Sequence, residues 1–336
     1  MRVLLFNTNL AARFVLSQIE KGGKIVVLTD QDNIRKLMDV LNYDNVFVYY
    51  LRSNFTIFDF LQLYASRKRV KRLFDENDID ELVYYHQAFG GFFNWIITYA
   101  HRQNVKIVYQ RVLRQLDAKP YRGLKAWKCK FLYRILFSTD ITPIDNGSNH
   151  PIPSLSYRFF QKNAIKEENG IIDNHAIAKV GQRLFDAINI PVHDNTVLLL
   201  TGSVISTGQV ERPEYEKKIR VLIEHIGVFN IVCKCHPRFT DETQQEKSLP
   251  HIPSYIPMEL LTSFFPIYIG FGSSVLIDAA RNGKIAISLI DYLKCTNPNR
   301  KVALHKYFMG ESVKFVKNIE EISFIINNYA EKNRVN

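Results

Sequence analysis

Three short segments in the second half of the chain carry residue types suited to phosphate and sugar chemistry. They are Lys234-Cys235-His236-Pro237-Arg238, Pro257-Met258-Glu259 and Gly270-Phe271-Gly272-Ser273-Ser274. An imidazole followed by a proline is placed to meet a phosphate and, when protonated, to neutralise or protonate a departing phosphate oxygen. Gly272, Ser273 and Ser274 at a helix start offer backbone N–H groups and two hydroxyls, a phosphate cradle. Glu259 can accept hydrogen bonds from both hydroxyls of a ribose. Each segment alone has a plain explanation, since Gly-Ser-Ser is often only an N-cap and an acid in a first turn favours the helix dipole. Their order and spacing together point to a bound nucleotide. Thr201-Gly202-Ser203 either approaches the donor's sugar or phosphate or forms a simple turn.

These segments need elements to hold them. The first 110 residues alternate short β-rich runs, Val3–Phe6, Lys24–Leu28, Val46–Tyr50, Glu81–Tyr85 and Lys106–Tyr109, with apolar residues at helical spacing over Leu10–Lys21, Ile34–Leu41, Phe58–Phe74 and Phe92–Gln103. A second alternation runs from the strand at Thr196 through a helix over Glu214–Ile226, strand Asn230–Cys235, helix Met258–Phe264, strand Pro266–Gly270, helix Ser274–Asn282 and strand Lys284–Leu289. Such alternation predicts parallel sheets joined by crossover helices, with loops at the carboxyl ends of the strands lining the ligand crevice. The predicted organisation is a Rossmann-like domain over 1–155, a linker over 156–194, a second Rossmann-like domain over 195–316, and a terminal helix in 317–336 that is a candidate to pack back on the first domain. Pro143–Lys166 reads as an irregular loop.

The chain has 336 residues, and 44 Lys+Arg against 33 Asp+Glu give a net charge of +11, which favours phosphate-bearing or otherwise anionic partners. Four cysteines without a CxxC pair exclude a disulfide framework and point to a reducing compartment. No run of about 18 apolar residues predicts a membrane span, so the expected location is cytoplasmic, with membrane contact only peripheral. Cys233 and Cys235 face one side of a strand and with His236 suggest a metal site, although buried thiols on a core strand account for them equally simply. From Arg102 to Arg134 ten basic residues meet a single acid, Asp117, among interleaved aromatics. Arg111, Arg114 and Trp127 in that stretch are candidates to bind an anionic or lipid-linked glycan, a lipid head group or RNA. The Arg67-Lys68-Arg69 and Lys71-Arg72 cluster reads equally as a solvated helix face.

On KCHPR at 234–238, IPMEL at 256–260 and GFGSS at 270–274 the chain resembles the bacterial sialyltransferases and polysialyltransferases of the GT-B fold, over roughly 80 residues. The resemblance implies an α/β, GT-B architecture of two facing Rossmann-like domains with a central cleft, the first the acceptor and the second the nucleotide-sugar donor domain. It also implies inverting transfer of sialic acid, or a related nonulosonic or Kdo-type acid, from a CMP-sugar to a lipooligosaccharide or capsule glycan, with no cofactor or essential metal. His236 then contacts the phosphate and acts as general acid, Glu259 binds the ribose, and Ser273 and Ser274 bind the phosphate. Lys234, Pro237, Arg238, Met258 and Gly272 complete the donor site with Thr201, Gly202 and Ser203. The family's acidic-Gly motif, which supplies the base, is missing from its expected place after Lys106–Tyr109. Asp145 in Asp145-Asn146-Gly147 is the best candidate for that base, and His86 is held in reserve. A GT-B transferase using a UDP- or GDP-sugar is the first rival reading, and a basic polyanion-binding module the second. No nucleic-acid-binding signature is present.

Overall fold

The computed structural model describes residues 1–52, 57–85, 91–111, 121–137, 141–144, 152–155, 166–236 and 241–334. The chain divides into two compact units, Met1–Ile177 and Ala178–Asn336. In the first, the strands are β1 (Arg2–Leu5), β2 (Ile25–Thr29), β3 (Val46–Tyr50), β4 (Glu81–Tyr84), β5 (Lys106–Arg111), β6 (Ile141–Ile144), β7 (Ile152–Leu155) and β8 (Lys166–Asn169). Six of them form one sheet in the order β3-β2-β1-β4-β5-β8, with every pair parallel. The second unit repeats the scheme with β9 (Thr196–Leu200), β10 (Asn230–Lys234), β11 (His251–Ile252), β12 (Ile267–Gly270), β13 (Ile285–Ser288) and β14 (Lys314–Phe315). Their order is β11-β10-β9-β12-β13-β14, again parallel throughout. Both are doubly wound sheets in which the direction of strand addition reverses between the first and fourth strands.

The sequence explains this architecture locally. Ile-Val-Val-Leu-Thr of β2 and Thr-Val-Leu-Leu-Leu of β9 are buried at every position, as strands covered on both faces must be. At the edge, β3 leaves Phe47 and Tyr50 exposed. The core of the first unit is aromatic, with Phe92, Phe93 and Tyr84 fully buried and Trp95 nearly so. In the second unit Leu200 pairs with both Lys234 and Gly270, so β9, β10 and β12 end level with one another. The three following loops therefore emerge side by side.

Several elements differ from those predicted. The helix expected over Met258–Phe264 is a single 3-10 turn, Met258–Leu260. Pro266 disfavours helical backbone at Phe265, and the Leu261 carbonyl accepts from the Tyr268 hydroxyl at 3.0 Å and the Phe264 amide at 3.1 Å. Part of the expected loop over 143–166 is a hairpin of β6 and β7 in which Pro143 opposes Pro153. A two-stranded ribbon has only edges, where proline's missing N–H is tolerated. Within 156–194 the expected helix near Ala176–Ala187 is present as Asn174–Ile188, but the segment also holds β8, the sixth strand of the first sheet. The terminal helix is present as Ile319–Arg334 and touches the Arg212–His225 helix. The basic aromatic stretch, read from sequence as a helix or hairpin, contains the Leu124–Phe137 helix.

One buried acid makes the second unit's stability pH-dependent. Glu246 is fully buried, and its carboxylate accepts from the Thr243 amide at 2.7 Å and the Tyr215 hydroxyl at 2.8 Å, closing a capping box on the Gln244–Lys247 turn. Burial raises the Glu246 pKa above its ordinary 4.5 despite those donors. Between 4.5 and that raised value the folded state holds the extra proton. Stability therefore falls as pH rises through this window, and the penalty is complete above it. Glu246→Gln keeps an acceptor and the capping pattern while removing the charge. Melting curves from pH 4 to 8 are expected to show the variant gaining on the wild type as pH rises; a constant offset would exclude the effect.

Candidate functional site

The loops after β9, β10 and β12 lie at the reversal point of the second sheet, where doubly wound folds bind their ligands. The loop after β9 is held from below. Thr201 is 5% exposed, and its amide and hydroxyl both donate to the Lys234 carbonyl, at 3.1 and 3.2 Å. Its hydroxyl thus ties β9 to β10. The Ser203 carbonyl accepts from the Thr207 amide and hydroxyl, shaping a turn that begins at Gly202-Ser203. Asp241, itself buried, accepts from the amides of Ile205 and Ser206 at 3.0 and 2.9 Å and from the Ser206 hydroxyl. A carboxylate with three donors rigidifies that turn.

After β10, Lys234 is buried and its ammonium donates to the carbonyls of Cys235 (3.2 Å) and Ser254 (3.1 Å). Burial pushes its pKa down to about 8, opposed in part by the Glu259 carboxylate. Lys234 therefore clamps backbone, and through the Ser254 carbonyl it ties the end of β10 to the segment leading to the Met258–Leu260 turn. His236 follows Cys235 in a partly exposed position. Pro237 and Arg238 lie outside the described residues. In the 3-10 turn Met258 and Leu260 are buried, leaving Glu259 as the partly exposed member.

After β12 the chain passes through Gly270-Phe271-Gly272 into the Ser274–Arg281 helix. Gly270 packs against Leu200 and Gly272 against Leu304 so closely that a Cβ at either would press on those side chains at 3.0 Å. The Ser288 hydroxyl donates to the Phe271 carbonyl at 2.7 Å. Ser273 is the N-cap, with its hydroxyl accepting from the Val275 amide at 3.3 Å, while Ser274 is exposed. The helix thus presents its amide end and the Ser274 hydroxyl together, an anion-binding arrangement. The first and third motifs follow β10 and β12, which end level with β9 at one end of the second sheet. Thr201, Lys234 and Ser273 serve the backbone, and His236, Glu259 and Ser274 retain solvent exposure.

The candidates of the first unit are less assembled. Asp145, Arg114 and His86 lie outside the described residues. Arg111 ends β5. Trp127 is 60% exposed and stacks on Phe131 at 5.3 Å between centroids. Arg67, from the first basic cluster, sits over the Trp95 ring at 5.2 Å and donates to the Leu136 carbonyl, so it braces the Phe60–Asp75 and Leu124–Phe137 helices. Asp241 and Glu246 were not singled out from sequence. Thr243-x-x-Glu246 is a capping-box signature that could have disclosed the second; nothing marks Asp241.

No family profile matches the chain, and no curated protein matches it. Among solved structures, UDP-GlcNAc 2-epimerase from Methanocaldococcus jannaschii is similar at 15% identity, over 98% of this chain and 92% of that one, with a TM-score of 0.50. UDP-GlcNAc 2-epimerase from Neisseria meningitidis bound to UDP-GlcNAc is similar at 15% identity, over 100% and 93%, with a TM-score of 0.47. Spinosyn rhamnosyltransferase SpnG is similar at 12% identity, over 98% and 91%, with a TM-score of 0.43. The likeness is one of fold: two parallel-sheet, Rossmann-like units of the GT-B type. Among the described residues no helix is long and apolar enough to cross a membrane.

Proposed function

We propose that this chain is a glycosyltransferase that takes its sugar from a nucleotide donor bound by the second unit. The observation that supports the reading is that β10 and β12 end level on either side of β9, so that His236 and Ser274 follow neighbouring strand ends at the reversal point of the second sheet, while Glu259 stands partly exposed in the turn between β11 and β12. An exposed helix amide end receives phosphate charge, Glu259 takes the ribose hydroxyls, and His236 supplies a proton to the leaving nucleotide. A uridine diphosphate sugar is the first donor to test, because the structure of highest TM-score among those above is a UDP-GlcNAc 2-epimerase. A CMP-linked sialic or related acid is the second, favoured by the HP, PxE and GSS order. The acceptor on this reading is an anionic or lipid-linked surface glycan, for which exposed Trp127 offers a stacking face. Asp145 remains our candidate for the base.

The deciding experiment is calorimetric titration with UDP, GDP and CMP, followed by donor turnover with the corresponding sugars and a mixed glycan acceptor set. One nucleotide is expected to bind at least tenfold more tightly than the others, with Glu259→Ala and Ser274→Ala each weakening it by roughly tenfold, about 1.4 kcal/mol. Tight UDP with UDP-sugar transfer selects the first donor, and tight CMP selects the second. Return of the sugar as an epimer without acceptor conjugation, or indifference of binding to both substitutions, rejects the reading.

A further inference from the structure

The sequence placed Cys233 and Cys235 on one side of a strand and paired them with His236. The fold supplies a different histidine. Parallel pairing of β10 with β11 sets His251 directly opposite Cys233, and Cys235 returns to the same side two residues on. One ligand atom from each of Cys233, Cys235 and His251 lies within 4.8 Å of the other two. Cys233 is fully buried, while Cys235 and His251 are partly exposed, so the cluster is closed by protein on one side and reachable from the other.

We propose that Cys233, Cys235 and His251 form a metal site for one thiophilic divalent cation, zinc(II) by preference, with solvent as the fourth ligand. Two sulfurs and one imidazole nitrogen are a borderline-soft set that selects zinc over magnesium or calcium. Ligand bonds of about 2.3 Å to sulfur and about 2.0 Å to nitrogen put tetrahedral ligand atoms under 4 Å apart, a small contraction of the cluster. On binding, each thiol gives its proton to solvent, so two protons leave per ion and two thiolates balance the metal charge. The site keeps one open, solvent-filled position, and its effect on the fold is to join two strands. β11 contributes only two residues, pairing as Cys233 with His251 and Lys234 with Ile252, and a metal link fastens this edge strand to β10 directly beneath His236. The inference stands apart from the identity of the donor.

The test uses the full chain, reduced and stripped of metal. Titration with cobalt(II) is expected to give one equivalent of tetrahedral thiolate-coordinated ion, with intense sulfur-to-cobalt charge-transfer absorption, and zinc(II) is expected to displace it. Zinc-loaded protein should melt at a higher temperature than the metal-free form. Cys235→Ser and His251→Gln, both at partly exposed positions, should each weaken zinc binding at least 100-fold and abolish the stabilisation, whereas Cys295→Ser should leave both intact. Absence of stoichiometric cobalt or zinc binding by the wild type overturns the proposal, as does undiminished zinc affinity in either site variant. Circular dichroism of the two variants separates loss of a ligand from loss of fold, and a variant that fails to fold is replaced by Cys235→Ala or His251→Ala.

Discussion

Gly181→Ala is expected to destabilise the second unit by about 2 kcal/mol or more, net of the roughly 1 kcal/mol that alanine gains over glycine in a helix. Gly181 lies in the Asn174–Ile188 helix, and a Cβ there would fall well inside van der Waals contact with the Leu260 carbonyl oxygen. The obstructing atom is backbone, so no rotamer change relieves it. Phe185 of the same helix stacks on Phe264 at 4.6 Å, fixing the helix against this turn from a second point. The variant should melt roughly 4–8 °C lower and, because Leu260 adjoins Glu259, should also bind nucleotide less tightly. A melting point within 1 °C of wild type would show that the turn can yield.

The second large effect concerns turnover. With whichever nucleotide sugar proves active, His236→Ala is expected to lower kcat by 10²- to 10³-fold, roughly 3–4 kcal/mol of transition-state stabilisation, within the range for loss of a positioned proton donor. Donor affinity should change by less than about tenfold, since the helix amide end and Glu259 remain. Such a split between kcat and binding distinguishes a group acting on the leaving nucleotide from one that only holds it. Rapid-quench measurement of a single turnover isolates the chemical step. A kcat within threefold of wild type would remove His236 from the mechanism.

Strands buried on both faces were legible because nothing but apolar residues suits them: Ile25–Leu28 and Val197–Leu200 announce themselves, and the alternation with helices then implies parallel sheets. The edge strands β8, β11 and β14 were not. Lys166–Asn169 is charged or polar throughout, and His251–Ile252 is too short for any period; pairing with a neighbouring strand makes them β. The motif positions of the second unit were found because residue type and strand ends coincide there. Their division of labour was not readable. Lys234 and Thr201 look like ligand contacts by type, yet strand ends leave carbonyls that need donors, and both side chains are spent on them. Asp241 and Gly181 act through neighbours far away in sequence, which no local pattern records. The pairing of thiols with His251 likewise comes only from the register of β10 and β11.

The division of the chain at Ile177 and Ala178 falls inside the Asn174–Ile188 helix, not in a loop. That helix opens with the Asp173 carboxylate accepting from the amides of His175 and Ala176. Scission between 177 and 178 would cut consecutive amide-to-carbonyl bonds of a continuous spiral and discard its cap. Independent expression of the carboxy-terminal half therefore calls for a start upstream of Asp173, and native digestion should spare this junction although it divides the two units.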